Sequence, residues 1–495
     1  MKLVLRRVGW RGGVAGILVL LVAAPPLGHF WISKSTTQAP PSSDSAERLL
    51  GLSVLQEGPV RKFDDSLAIE RYVDTSEQVP GSGIHLVKLR GDSFSIGFAH
   101  AKLMYDAMLR TERAMWERLN SLIPNRLLQQ AVIDYARYRY RDLAKSYSQD
   151  RLLELAGQAR AFAPDPYDDR IPTFARYLQL NAVYDIALSF ENTPLIGCTT
   201  FVSAPAGDGE SVWLARNFDF EAHPLFDYEK TLFVVHETHK IPFVSLAWTG
   251  LPGVVSGVNQ HGLAVVAHGA RAGEMRTRGE PVVHELRRLL QDATTVSEAF
   301  EALRAHTPLV SHILVLADPG GHLAKVEMVP GQAPFILDLR ARGAVTNHLN
   351  GPASVDPRNL RVVNTTTTSQ RLARANRLVA PTEGDPSPNS AADWVAALRD
   401  RSSAEGALLP LGDRSAIDAQ VATHGIVLNL SRMELWVSTS PNLLGKFARF
   451  DLRALLDNGF NPAQVRDASA DLKADPLLWS NEYREFRREA ELRED

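Results

Sequence analysis

One cysteine stands in a chain of 495 residues, Cys198 in the string ENTPLIGCTTF. A single thiol excludes an intramolecular disulfide, a thiolate metal cluster and a CxxC redox pair. A free cysteine is by itself most often a small buried residue. Here Gly197 supplies a permissive backbone just before it, and Thr199 and Thr200 open a strand-like run, so the Gly197–Cys198 peptide bond falls at a loop-to-strand step. If that bond breaks, the thiol gains its own α-amine. An α-amine ordinarily titrates at about 7.7–8.0 and a thiol at about 8.5, so the amine can take the thiol proton near neutral pH without a histidine.

Other residues offer weaker chemistry. Arg216 and Asp219 in WLARNFDF read alone as an edge-strand ion pair, and Arg371 in TTSQRLARANRL as a solvated helix start. Asn259 and Gly262 fit a hairpin turn. His268, His348 and His424 are candidates if the thiol works as a Cys-His hydrolase instead. His236 and His239 sit three apart in a strand-like run, where they face opposite sides, and read as surface histidines rather than metal ligands. The strings GxSxG, GxxxxGK[ST], HExxH and GxGxxG are absent from the chain beyond Pro194.

The elements that must position these residues change character along the chain. Gly83–Arg90 alternates as a strand, Gly91 and Asp92 turn the chain, and helical spacing follows to Phe190, so residues 47–197 read as an α-rich region. After Pro194 come short β-patterned runs: Thr199–Ser203, Ser211–Phe218, Thr231–Glu237, Phe243–Trp248, Val254–Val258, Leu263–Ala267, Ile313–Ala317, Leu323–Val329 and Phe335–Leu339. Helices are expected over Pro281–Leu290 and Val296–Ala305, a surface loop over Pro381–Ser390, and a hairpin over Ile426–Thr439 turning near Ser431. This block order suits antiparallel sheets layered with helices rather than a doubly wound parallel sheet.

The amino terminus carries a separate message. Lys2, Arg6, Arg7 and Arg11 precede a charge-free run of 22 residues from Gly12 to Ser33. A basic flank before an apolar stretch predicts a signal peptide or signal-anchor helix over residues 1–34, with the rest of the chain exported and extracytoplasmic. Residues 35–46, rich in Ser, Thr, Pro and Gln, form a flexible tether. The balance of 54 Lys+Arg against 57 Asp+Glu, a net charge of −3, gives no overall positive field for nucleic acid.

LIGCTTF followed by WLARNFDF resembles the start of the mature chain in N-terminal-nucleophile (Ntn) hydrolases, in particular the family of acyl-coenzyme A:6-aminopenicillanic acid acyltransferase. Choloylglycine hydrolases, acid ceramidase and phospholipase B-like proteins are its relatives. LRGDSFSIGFAHAKL, from Leu89, is similar to the family's pro-side motif, LPGVVSGVNQHGLAVV to its paired-strand segment, AVTNHLN to its Thr-Asn-His segment and TTSQRLARANRL to its Ser-x-Arg helix start. Together these cover roughly residues 84–455.

The resemblance implies an α+β, four-layer αββα sandwich with 47–197 as a pro-side chain and 198–495 as the catalytic chain. It makes Cys198 the nucleophile, freed by autoproteolysis at Gly197–Cys198, and Asp219 the carboxylate that orients the new α-ammonium. Arg216 matches the arginine of the bile-salt branch, Asn347 would donate its side-chain amide to the oxyanion, and Arg371 would balance Asp219 in the floor of the site. No metal or organic cofactor is implied. The expected partners are a small-molecule N-acyl substrate, a retained pro-side chain and a membrane at the N-terminal segment. The expected activity is amide hydrolysis through a thioester. Acyl-coenzyme A-dependent transfer, an unprocessed Cys-His hydrolase and an inert membrane-tethered binding protein stand as alternatives.

Overall fold

The computed structural model describes residue 29 and residues 31–75, 79, 82–188, 196–205, 211–221, 223–380 and 388–494. The run Gly12–Ser33 lies outside them except for residues 29 and 31–33, as does most of the Pro381–Ser390 loop. Among the described residues no helix is long and apolar enough to cross a membrane.

The upstream region is less purely helical than its sequence suggests. A short helical turn over Ser45–Leu50 is followed by four strands: β1 (Leu55–Glu57), β2 (Val60–Phe63), β3 (Ser66–Asp74) and β4 (Gly83–Gly91). After β4, Gly91 takes φ +125°, and the Asp92 carboxylate accepts from the Ser95 amide at 2.8 Å, which caps α1 (Ser93–Leu122). Helices α2 (Arg126–Arg139), α3 (Gln149–Ala161), α4 (Thr173–Leu180) and α5 (Val183–Leu188) follow. Helices α1 and α3 cross at two glycines. A Cβ on Gly97 would lie 1.8 Å from the Glu154 carbonyl oxygen, and one on Gly157 2.1 Å from that of Phe94. The pro-side motif therefore owes its glycine to this crossing.

Downstream, β5 (Ile196–Ser203) and β6 (Trp213–Phe220) form an antiparallel pair. Then come β7 (Lys230–Glu237), β8 (Phe243–Trp248), β9 (Ser256–Asn259), β10 (Ala264–Gly269), helices α6 (Val282–Asp292) and α7 (Val296–Leu303), β11 (His312–Ala317), β12 (Leu323–Met328), β13 (Phe335–Asp338) and β14 (Arg342–Val345). Helices α8 (Pro357–Thr365), α9 (Thr368–Val379) and α10 (Ala391–Leu398) precede the strands β15 (Ala422–Asn429), β16 (Glu434–Ser438) and β17 (Phe447–Asp451).

These strands make two sheets. The larger runs β1-β2-β3-β4-β7-β8-β9-β10-β11-β12-β13 and the smaller β14-β5-β6-β15-β16-β17. Strand β4 pairs with β7 in parallel from His85–Thr231 to Gly91–Glu237, so the upstream strands extend the sheet built by the downstream chain. Alternation along β7 shows the layering. Phe233 and Val235 pack with Leu103, Leu155 and Leu286 of α1, α3 and α6, whereas Leu232 and Val234 pack with Val202, Leu214 and Ile426 of the smaller sheet. On that sheet's far side Phe201, Ala215 and Val427 meet Ala375 of α9 and Trp394 and Leu398 of α10.

A buried charge network ties the upstream helices to the rest. Arg287 of α6 holds Glu154 of α3 at 2.8 Å and Glu237 of β7 at 3.1 Å, while Arg151 of α3 pairs with both carboxylates. The two guanidinium groups hold Glu237 well below the usual carboxylate range despite its burial.

Candidate active site

The register of the β5–β6 pair sets the site. Gly197 faces Asp219, Cys198 faces Phe218, Thr199 faces Asn217 and Thr200 faces Arg216. Because strand side chains alternate, Cys198, Thr200, Arg216 and Phe218 share one face, and Thr199, Asn217 and Asp219 the other. Cysteine and aspartate are thus on opposite faces of one hairpin, joined through the backbone at 197–198.

On the first face the thiol is fully buried, in one apolar cluster with Tyr184, Phe218, Val255 and Ala267. Arg216 Nη2 approaches Cys198 Sγ to 3.4 Å and also donates to the Ala267 carbonyl. Its Nη1 donates to the Val255 carbonyl and to Ser256 Oγ at 2.5 Å. Burial pushes the thiol above its ordinary value, and the Arg216 guanidinium opposes that rise. Tyr184 of α5 lies over Phe218 with ring centroids 6.2 Å apart, which closes the face from the upstream side.

On the backbone side, the Cys198 amide donates to Asn347 Oδ1 at 2.9 Å. Arg371 Nη1 donates to the Cys198 carbonyl at 2.6 Å and to Thr199 Oγ1 at 3.0 Å, and its Nη2 to Asn347 Oδ1 at 2.9 Å. Asp219 lies beside the same peptide: a Cβ placed on Gly197 would stand 3.0 Å from Asp219 Oδ2. Burial raises the Asp219 carboxyl to about 6, with Arg371, Arg414 and Arg216 pulling the other way. Arg371 reaches the site because it occupies the first turn of α9.

All five positions, Cys198, Arg216, Asp219, Asn347 and Arg371, come together around Gly197 and Cys198. The orientation of Asn347 differs from that of an oxyanion donor. Two donors converge on its Oδ1, and its Nδ2 donates to the Gly269 carbonyl at 3.1 Å, so its acceptor end faces the Cys198 amide. The Thr368 hydroxyl fixes the segment by accepting from the Asn347 amide at 2.9 Å.

The histidines are engaged elsewhere. His268 Nε2 meets Thr200 Oγ1 at 2.7 Å, His424 Nε2 meets Ser256 Oγ at 2.9 Å, and His348 Nδ1 meets Thr368 Oγ1 at 3.0 Å. Burial lowers all three, His348 to about 4. Among the described residues no histidine bonds the thiol, which removes the geometric basis for a Cys-His pair. Asn259 is a turn residue, its Oδ1 accepting from the amides of His261 and Leu263.

Thr199 and Thr368 support the site through side-chain hydrogen bonds, and both lie inside the strings GCTTF and TTSQRL. The contact made by Tyr184 leaves no trace in local pattern.

The fold is that of an α+β protein with two stacked sheets and helices outside them. Within it, residues 206–407 match the model of the family described as acyl-coenzyme A:6-aminopenicillanic acid acyl-transferase, which bears out the family resemblance read from the sequence. The matched span takes in Arg216, Asp219, Asn347 and Arg371 and begins downstream of Cys198. No curated protein matches the chain in sequence. Among solved structures, the chain is similar to the Caenorhabditis elegans ortholog of N-acylethanolamine-hydrolyzing acid amidase, with TM-score 0.33 and 16% identity over 47% of this chain and 93% of that one. It is also similar to penicillin V acylase from Agrobacterium tumefaciens, with TM-score 0.36 and 17% identity over 56% and 97%. A third is conjugated bile acid hydrolase from Clostridium perfringens, with TM-score 0.32 and 13% identity over 52% and 95%.

Proposed function

We propose that this chain is a self-processing cysteine amidohydrolase of the N-terminal-nucleophile type on an αββα sandwich. The observation that carries this reading is the convergence on the Gly197–Cys198 peptide: Arg216 at the thiol, Asn347 and Arg371 on the backbone of Cys198, and Asp219 against Gly197. Cys198 Sγ attacks the Gly197 carbonyl carbon, the bond to the Cys198 nitrogen breaks, and the thiol proton passes to that nitrogen. Water then hydrolyses the thioester, leaving a Gly197 carboxylate and a thiol with its own α-amine. Asn347 Oδ1 already accepts from this nitrogen, and Asp219 lies where a new ammonium would seek a counter-ion.

In turnover the same thiol takes an acyl group from an N-acyl compound, the α-amine carries the proton to the departing amine, and water releases the acid. The full burial of Cys198 in the intact chain supports processing before substrate entry, since a sealed thiol cannot meet an external amide. Acyl transfer from a coenzyme A thioester is the second reading, favoured by the description of the matched family. The basic and apolar amino terminus supports a place outside the cytoplasm.

Amino-terminal sequencing of the purified protein tests the processing, with a chain beginning Cys198-Thr199-Thr200 expected. Mass spectrometry of the acyl group trapped on Cys198, after a panel of N-acyl amides and acyl-coenzyme A donors, separates hydrolysis from transfer. An intact, fully active chain would refute the reading.

A further inference from the structure

Helix α2 is built inside out. A surface helix of a water-soluble protein turns its apolar stripe to the core, but α2 turns Gln129, Asp134 and Arg137 inward. Leu127, Leu128, Tyr135 and Tyr138 point outward, 79%, 55%, 61% and 41% exposed. The spacing 127, 131, 135, 138 keeps to one stripe of the helix, with Ala131 also exposed.

Gln129 bonds back to Asn120 and the Ile123 carbonyl, and the rest of the inward face makes polar contacts within the helix and to the amino-terminal segment. His29 Nδ1 meets Asp134 Oδ1 at 3.0 Å, Gln130 Nε2 donates to the same oxygen at 3.1 Å, and Arg137 Nη2 reaches Ser33 Oγ at 3.4 Å. Trp31, itself 58% exposed, lies with its ring centroid 6.0 Å from that of Tyr138 and so extends the stripe.

Two observations select what covers this face. The first is charge: Arg126 and Arg139 in the helix and Arg141 after it lie outside the buried face, whereas Asp134 is buried against Arg137 and Asp142 is paired with Lys145 and Arg278. The Arg141 guanidinium lies 4.4 Å from the Tyr138 ring centroid. Leucines flanked by tyrosines, a tryptophan and arginines match the boundary between lipid headgroups and acyl chains. The second is continuity: the 28 residues before His29 carry four basic side chains and then most of the apolar run, and the run's last described residues, His29 and Ser33, contact α2.

We propose that the exposed stripe of α2, with Trp31, is a docking surface that lies in the headgroup–acyl boundary of an anionic lipid bilayer. The inference is independent of the amidohydrolase reading, because it uses none of the residues around Cys198.

The test uses the full chain carrying Cys198→Ser, so that an introduced cysteine is the sole thiol. Leu128→Cys, Tyr135→Cys and, as a distant exposed control, Glu405→Cys are each labelled with a fluorophore and reconstituted into vesicles of phosphatidylcholine with about one quarter phosphatidylglycerol. Labels at 128 and 135 should be quenched by acyl-brominated lipids, shielded from aqueous iodide, and placed about 5–10 Å below the headgroup plane. The label at 405 should behave oppositely. Free access of iodide to 128 and 135 in vesicles would overturn the proposal. So would shielding from iodide without quenching by brominated lipid, which would assign the face to residues 12–28 or to a second copy of the chain.

Discussion

Replacing Arg216 with methionine removes a charge from the thiol while keeping much of the side-chain volume. At 3.4 Å from Sγ and an effective dielectric of about 20, the guanidinium stabilises a thiolate by about 5 kcal/mol, or about 3–4 pKa units. The thiolate fraction near pH 7 should fall accordingly by about 10³- to 10⁴-fold. A more basic thiolate is also a better nucleophile, with a Brønsted slope of about 0.4–0.5, so the net loss in attack rate is about 10²-fold. The assay is the conversion of intact to cleaved chain on denaturing gels across pH, with circular dichroism confirming the fold. Arg216→Met should process about 10²-fold more slowly, with its rate still rising at pH values where the wild type has levelled off. Arg216→Lys keeps the charge but cannot reach the Val255 and Ala267 carbonyls and Ser256 together, and should fall between the two. A folded methionine variant that processes at the wild-type rate with an unshifted pH profile would refute this account of the thiol.

Cys198→Ala should stay one chain on gels, whereas the wild type yields a fragment of 495 − 197 = 298 residues. Asn347→Ala should lower kcat by about 10²-fold with little change in KM, measured on processed protein, if, as proposed, the nitrogen that Asn347 holds serves as the base. Asp219 must be a carboxylate to hold an ammonium, and that ammonium pulls the carboxyl below the value of about 6 it has in the intact chain, so initial rates of the processed protein should hold at pH 6 and fall only below it. Its carboxyl binds a proton more readily folded than unfolded, so its contribution to stability is present below about 3.8 and is lost as pH rises through about 6. Asp219→Asn should flatten the stability slope in that window by up to about 1.4 kcal/mol per pH unit, read from urea midpoints, while abolishing activity. Gly97→Ala should destabilise the fold by about 3 kcal/mol, read by thermal denaturation, because its methyl group meets the Glu154 backbone rather than a side chain that can move.

The strands around the site were legible because β6, β7 and β10 carry unbroken apolar or alternating runs, and α6 carries helical spacing with proline just before it. Strands β1 to β3 leave little pattern in the sequence because they are short or carry Arg61, Lys62, Glu70 and Arg71 among their apolar positions. The pairing of β4 with β7 joins residues 231 − 85 = 146 positions apart, and local periodicity carries no information about such partners. Residue identity marked Asn347, but its orientation depends on where Arg371 and the Cys198 amide lie in space. Helix α2 had the right period, yet which face it buries is set by His29 and Ser33, contacts that periodicity cannot rank.

The insertion of β4 beside β7 has a consequence for how the two halves can exist. A cut between residues 197 and 198 severs the chain but leaves the sheet whole, since seven residue pairs and the Arg151–Glu154–Glu237–Arg287 network still span it. Residues 198–495 made alone would present β7 as a bare edge from Lys230 to Glu237, with unanswered amides and carbonyls and a guanidinium, Arg287, stripped of one buried partner. Such an edge recruits other strands. If the chain is cut as proposed, the upstream half is a template on which the downstream half must first be assembled, and the strand order of the larger sheet requires folding to precede cutting.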